Sequence, residues 1–349
     1  MAAQGVASRS PSNSAIESFV ESTAPIIEPS TVVELPNSSI RRWVSPAGAR
    51  LFEKRYRQDE KTCTLQVIQA RMSREQLVND RLQHICPDSP RLGIPKTIEF
   101  DFIGARIVMA EAPGEPLLNW IRQRRTSSYN ILRAMHLAGG WLRMFQSISV
   151  TETDRRIDSE DSLDLASYCQ PRLEGLIRAG AWSHQLPAPL SVLAVIRDCC
   201  EFDPARIARV SWIHGDYGPF NVLWDGRVLT GIDLAMARVA APLIDATYFI
   251  HRLEMLALQR PWNRYPIEVW KRAFLRGYGD EAADRSPFYQ ALMIRHCLNR
   301  MSSLVERPSK GLLGRTHDRW LLYAIRHRLR LQIAASAARS KECFGLRAV

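Results

Sequence analysis

The sequence has no apolar run approaching the roughly 18 residues needed to cross a bilayer, and no basic stretch followed by an apolar core near its N-terminus. Neither an integral membrane protein nor a secreted one is expected, and a cytoplasmic location follows. The seven cysteines, Cys63, Cys86, Cys169, Cys199, Cys200, Cys297 and Cys343, form no C-x-x-C pair, and no histidine stands at zinc-ligand spacing. Such a set fits free thiols used as small buried apolar side chains. There is no repeat of solenoid period, no zinc finger, no RNA-recognition signature and no evident helix-turn-helix. Nucleic acid is therefore not an expected partner.

What is present is an ordinary globular mixture, 46% apolar and 24% charged over 349 residues. That is long enough for two packed units or one bilobal domain, against a usual domain of roughly 100–200 residues. Lys and Arg number 47 against 36 Asp and Glu, a formal charge of +11, which attracts anions without naming one.

Residues 1–30, rich in Ser, read as a flexible arm. Between Thr31 and Arg57, TVVEL, IRRWV and RLFEKRY read as strands separated by PNSS and SPAG. A helix is expected around Ser73 to Ile85, with Ser73 as its cap and Leu77, Val78, Leu82 and Ile85 as its apolar face. KTIEFDFIG and ARIVMAEA read as two further strands, the second running into a turn and a helix start at PGEPLLNWI. Helical spacing dominates from Tyr129 to Ile148 and from Ser162 to Ile196, broken at Gly180 and LPAPL. Inside this helical half, VSWIHGD is a strand-like run into a loop. FNVLW and RVLTGID then flank Asp225-Gly226, a favoured two-residue hairpin turn. The expected parts are an arm at 1–30, a nucleotide-binding lobe at 31–112, a helical catalytic and acceptor-binding lobe at 113–314, and a basic helical tail at 315–349.

The segment from His214 to Asp245 carries chemistry. It contains H-G-D, an Asn five residues after that Asp, a hairpin, and Ile-Asp at the hairpin's far end. Phosphoryl transfer needs a carboxylate to orient or deprotonate the hydroxyl nucleophile, and oxygen ligands that hold magnesium against the nucleotide phosphates. Asp216 suits the first task, and Asn221 and Asp233 can converge beside it for the second.

On H-G-D-x-x-x-x-N followed by I-D, the chain resembles the aminoglycoside phosphotransferase and choline kinase-like superfamily, small-molecule relatives of protein kinases. The resemblance covers about residues 31–300. It implies a bilobal α+β protein-kinase-like fold, with a small antiparallel sheet plus helix followed by a mainly helical lobe. It also implies ATP or GTP with Mg2+ as cofactors, and a small-molecule hydroxyl as acceptor. By that resemblance Asp216 is the catalytic base, His214 buttresses the catalytic loop, Asn221 and Asp233 are magnesium ligands, and Asp245 is structural. Lys54 takes the place of the phosphate-pairing lysine, with Arg55 and Lys61 competing for it, and Glu75 is its helix partner, with Asp80 competing. Backbone groups of Met109, Ala110, Glu111 and Ala112 take the place of the hinge that receives adenine. PNSS replaces a glycine-rich loop, so Ser38 and Ser39 are assigned to cover the phosphates. The helix WLRMFQSI carries Phe-Gln where many relatives show Leu-His, and Met236 follows Asp233 without a D-F-G.

Other features have plainer readings. Trp262, Tyr265, Trp270 and Tyr278 are expected in the core rather than in a cage for a quaternary ammonium, and Glu254 on a helix face. The tail places Arg326, Arg328 and Arg330 near Trp320, Leu321, Tyr323, Ile325, Leu329 and Ile333, either as a solvated helix face or as an amphipathic helix that meets acidic lipid. The net charge favours a neutral or anionic sugar, polyol or glycan precursor over a polycationic aminoglycoside, with amino alcohols still open. Two rival readings remain: an aminoglycoside resistance kinase, and a nucleotide-binding pseudokinase that regulates a partner through the tail. Oligomeric state is not legible.

Overall fold

Alternating β-rich runs and periodic helical runs each form the element their pattern favours. A computed structural model describes residues 32–34, 38–45, 48–58, 64–85, 90–123, 128–157, 164–309 and 311–347, with side chains to 337. The 1–30 arm, Lys61, Cys63 and Cys86 lie outside the described residues. In chain order the elements begin with β1 (Val32–Glu34), β2 (Ser38–Val44), β3 (Arg50–Tyr56), α1 (Leu65–Ile85), β4 (Leu92–Gly93), β5 (Thr97–Asp101), β6 (Arg106–Ala110) and β7 (Glu115–Pro116). There follow α2 (Leu117–Arg122), α3 (Ser128–Phe145), α4 (Glu152–Ile157), α5 (Leu165–Arg178), α6 (Pro189–Glu201) and α7 (Pro204–Ala208). The remainder is β8 (Ser211–Ile213), β9 (Val222–Trp224), β10 (Leu229–Gly231), β11 (Arg238–Ala240), α8 (Leu243–Gln259), α9 (Ile267–Tyr278), α10 (Pro287–Glu306) and α11 (Leu312–Arg347). No described helix is long and apolar enough to cross a membrane.

The chain divides into two compact units, one holding residues up to Met72 together with Pro95–Glu111, the other Ser73–Ile94 and Ala112 onward. The first is built on a five-stranded antiparallel sheet of order β1-β2-β3-β6-β5. Strand alternation sends Lys54 and Arg55 to opposite faces. Lys54 Nζ lies 4.8 Å from the centre of the Tyr56 ring, whereas Arg55 pairs with Glu53 at 3.3 Å.

Helix α1 starts eight residues before the expected Ser73. Thr64 Oγ1 accepts from the Val67 N–H, at 3.4 Å, and the buried stripe runs through Ile68, Met72, Glu75, Val78, Asn79 and Leu82. Ser73 is therefore interior and exposed, and Leu77 and Ile85 lie off the buried face. The stripe that fixes the helix begins upstream of the residue proposed as its cap.

The second unit is mainly helical, with a four-stranded sheet β4-β10-β9-β7 and a two-stranded ladder β11-β8. A column of stacked rings crosses it: Trp141 on Tyr217, Tyr217 on Phe249, Phe249 on Phe274, and Phe274 on Tyr278, with centroids 4.4–6.3 Å apart. Helices α3 and α9 approach closely where Gly139 and Gly277 face the partner helix. A Cβ on Gly277 would overlap the His136 carbonyl. In α11, Leu321, Ile325, Leu329 and Ile333 recur at helical spacing and are buried, within a helix that packs on α6, α8 and α10. Its apolar stripe is thus covered by its own unit. Glu254 is buried rather than surface-facing, and it pairs with Arg328. Cys169, Cys199 and Cys297 are buried, and burial pushes the Cys169 and Cys297 thiols up to about 12, as it does the half-buried Cys200. None of these three is a thiolate nucleophile at neutral pH.

Candidate active site

Two nested ladders build the site. Strand β8 pairs with β11, Ile213 opposite Arg238, while β9 pairs with β10, Val222 opposite Gly231. The loop 214–221 and the loop 232–237 therefore leave the same ends of the ladders and meet. Ile232 N–H donates to the Asn221 carbonyl at 3.0 Å, and His214 Nε2 lies 2.9 Å from the Ile232 carbonyl. The spacing in the sequence becomes proximity because both loops connect the same two antiparallel pairs, β8–β11 and β9–β10. The tip of the inner hairpin departs from expectation. Gly226, with φ of 95°, and Arg227 are its central residues, and the Asp225 carboxylate accepts from the Arg227 and Val228 N–H groups. The turn is thus one residue later than Asp225-Gly226, because Asp225 serves better as the side-chain acceptor that closes it.

The first loop holds Asp216 between two anchored neighbours, His214 and Tyr217. His214 is fully buried, its ring against Trp141, Phe145 and Tyr217 at centroid distances of 5.5–6.2 Å. Tyr217 is also fully buried and donates its hydroxyl to the Ala138 carbonyl at 2.8 Å. Gly215 has φ of 82°, and a Cβ there would overlap the Met236 carbonyl oxygen. Only glycine fits this turn. The Asp245 carboxylate, 1% exposed, accepts from the His214 N–H at 2.6 Å and from the Gly215 N–H at 2.9 Å. Burial pushes its pKa up, opposed by His214, by these two backbone donors and by Arg238.

Asp216 is half-buried, and burial raises its carboxyl above the usual range, opposed by the Tyr248 hydroxyl that donates to it. Asp233 raises it further and Arg252 lowers it. Asn221 Nδ2 donates to the Asp216 carbonyl at 2.9 Å and to its carboxylate Oδ2 at 3.2 Å. That orientation leaves Asn221 Oδ1 as an acceptor for something else. Asp233 is exposed and holds a left-handed backbone at φ 65°, a conformation Asp tolerates better than most residues. One amide oxygen and one exposed carboxylate fit a hard cation such as Mg2+, which takes few protein oxygens and completes its shell with water and phosphate. No cluster of three His, Cys, Asp or Glu able to hold a metal occurs among the described residues.

The remaining predicted residues fall as follows. Lys54 lies in the first unit and Glu75, 6% exposed, in the second, while Asp80 is exposed. Ser38 and Ser39, expected in the loop before the second strand, instead open β2: pairing with β3 sets Ser38, buried, opposite Tyr56 and Ser39 opposite Arg55. Two of the four hinge amides are taken by the sheet: Ala110 N–H donates to the Lys96 carbonyl and Glu111 N–H to that of Arg50. The Glu111 side chain pairs with Arg42 at 2.7 Å. Gln146 bridges α3 to its surroundings, donating to the Pro242 carbonyl and accepting from the Tyr278 hydroxyl, both at 2.8 Å. Of the four aromatic residues expected in the core, Trp270 is buried and Tyr265 and Tyr278 pack partly buried against it, but Trp262 is not in it. Trp262 is 70% exposed, and Tyr265 packs on Trp270 at 5.6 Å. Sequence reasoning missed Tyr217, Tyr248 and Arg252. For Tyr248 and Arg252 the available signal was α8 periodicity, since 245, 248 and 252 share one helix face.

The comparisons with known proteins agree with this geometry. The phosphotransferase enzyme family matches residues 76–288. No curated protein sequence matches the chain. Among solved structures, an aminoglycoside phosphotransferase from Alicyclobacillus acidocaldarius is similar at 14% identity, with 97% of this chain and 98% of that one covered and a TM-score of 0.57. A choline/ethanolamine kinase family protein from Mesorhizobium loti aligns at 14% identity over 93% and 98%, TM-score 0.54. The streptomycin-ATP complex of APH(2'')-IIa aligns at 11% identity over 90% and 97%, TM-score 0.55. At these identities the likeness establishes the fold, a protein-kinase-like α+β architecture. The family match spans well over half of the chain and includes the whole His214 to Asp245 segment, and the chain belongs to the phosphotransferase enzyme family, small-molecule kinases that act on hydroxyl groups.

Proposed function

We propose that the protein transfers the γ-phosphoryl group of ATP, with Mg2+, to a hydroxyl of a small molecule. The observation that carries this reading is the half-buried Asp216 held between buried anchors, with Asn221 bonded to it and Asp233 on the adjoining loop. Asp216 accepts a hydrogen bond from the acceptor hydroxyl and takes its proton as the oxygen attacks. A carboxyl pKa raised by burial makes it a better proton acceptor than an ordinary aspartate. Tyr248 donates to the same carboxylate and fixes its orientation. Asn221 Oδ1 and the Asp233 carboxylate would hold Mg2+, which when bound neutralises charge on the transferring phosphates. His214 touches no reacting atom; it is a positioning residue that ties the catalytic loop to the Asp233 loop through the Ile232 carbonyl. Lys54 is the candidate phosphate contact of the first unit, Glu75 is a candidate of the second, and of the two serines Ser39 is the candidate to cover the phosphates, since Ser38 is buried in β2. Ala112 is the candidate adenine donor, since Met109 lies inside β6 opposite Phe52 and Thr97 and the Ala110 and Glu111 amides are committed. GTP in place of ATP is decided by the same test.

The test is ADP or GDP release by purified protein across sugars, polyols, amino alcohols, aminoglycosides and glycan precursors, with and without Mg2+. Acceptor-dependent release that needs Mg2+ supports the reading. Nucleotide binding with no release on any acceptor favours a pseudokinase.

A further inference from the structure

We infer that Arg252 and Arg300 form an anion subsite beside Asp216, so that the hydroxyl acceptor carries a phosphate or carboxylate group. This deepens the proposed function and rests on it. Along α8, Asp245, Tyr248 and Arg252 stand at i, i+3 and i+7 and share a face. Asp245 holds the catalytic loop, Tyr248 donates to Asp216, and Arg252 follows one turn on. The Arg252 guanidinium carbon sits 4.9 Å from the centre of the Phe220 ring, in the catalytic loop, and 6.0 Å from that of Tyr248. With Phe220, Leu118, Leu256, Gln259 and Arg122 it lines a pocket against that loop.

Arg300 arrives from α10. One turn earlier on that helix, His296 Nε2 lies 2.9 Å from Thr247 Oγ1, and its ring packs against Tyr248 and His251 at 5.5 Å. Arg300 therefore faces the same stretch of α8. Its Nε is buried with no hydrogen-bond partner. Among the described residues neither arginine forms an ion pair with a carboxylate. Asp318, the acid that acts on Arg300, accepts from the Ser309 N–H at 2.7 Å. Burial and then Arg252 push the Arg300 pKa down, opposed by Asp318 and Tyr248, as expected where one guanidinium lies partly buried near another. An arrangement that costs free energy when empty is relieved by an anion that accepts from both forks. A cationic acceptor would meet repulsion at the same place.

The experiment uses the full chain saturated with a non-hydrolysable ATP analogue and Mg2+, which fills the nucleotide-phosphate contacts, and titrates inorganic phosphate and acetate by calorimetry. Saturable binding of at least one anion is expected. It should weaken about tenfold to a hundredfold in Arg252→Gln and in Arg300→Gln, the size of losing one charge-assisted hydrogen bond, and recover in part in Arg252→Lys. Ethylammonium should not bind. Melting temperatures and analogue affinity close to wild type identify variants that remain folded. The inference is overturned if neither anion binds, if binding is unchanged in the folded variants, or if the variants lose the nucleotide analogue instead. Failure of the underlying phosphotransferase reading is seen separately, as absence of Mg2+-nucleotide binding or of transfer to any acceptor.

Discussion

Replacing Asp245 by Ala removes the acceptor of two backbone donors at once. The His214 and Gly215 N–H groups point to its carboxylate at 2.6 and 2.9 Å, in a place 1% exposed, where water does not substitute. Each buried donor left without a partner costs about 1–3 kcal/mol. The carboxylate itself is buried at a cost, as its raised pKa records, and Ala removes that cost. The lower half of the summed range is therefore expected, about 2–4 kcal/mol. Against a usual stability of about 5–15 kcal/mol, this leaves a folded but weakened protein. Asp245→Asn keeps one oxygen for one donor and sets an amide N–H2 against the other, so its loss should fall between wild type and Ala. The assay is urea unfolding at pH 7, followed by tryptophan fluorescence and circular dichroism, with phosphoryl transfer measured on the folded fraction. Transfer should fall in the same order, because Gly215 and Asp216 lose their anchor. A loss below about 1 kcal/mol for Asp245→Ala would refute the claim that the carboxylate holds the loop.

Gly277→Ala should cost about 1–3 kcal/mol, the usual price of overpacking, because its Cβ would overlap the His136 carbonyl. Gly175→Ala, in a helix with nothing near the added carbon, should instead be neutral or gain up to about 1 kcal/mol; thermal melts of the pair check both. Stability should fall with acid because His251 and His296 are buried and their pKa values are pushed well below 6.5. The unfolded chain binds protons that the folded one refuses, so their contribution is complete above pH 6.5 and is lost as pH drops below it. The slope is at most about 2.7 kcal/mol per pH unit for the two together, and the raised carboxylates Asp216, Asp245 and Glu254 oppose it. Urea midpoints between pH 7 and 5.5 test the sign, which His296→Gln should soften.

The site's backbone geometry was legible in the sequence because it is local. His214, Asp216, Asn221 and Asp233 sit at ladder ends, and the ladders are set by short alternating runs around one turn. The strands of the first sheet were legible for the same reason. Helix α1 was misjudged at its start because its buried stripe begins at Ile68, beyond a window anchored on Ser73. That Arg300 comes to the stretch of α8 carrying Tyr248 and Arg252 was hidden, since it depends on how α8 packs against α10 and no local pattern encodes that. The Arg328 pair with Glu254 was hidden likewise: a buried charge looks the same in sequence as a solvated one until its helix is placed.

We propose Asp216 as the base of the phosphoryl transfer. Asp216→Asn is the direct measurement, because it keeps an oxygen that can accept from Tyr248 while removing the proton acceptor. Transfer to the best acceptor and ATP affinity are read on the same preparation. The expected result is a fall in turnover of about 10²–10⁴-fold, with ATP affinity within a few-fold of wild type. A variant that turns over within tenfold of wild type would contradict the account.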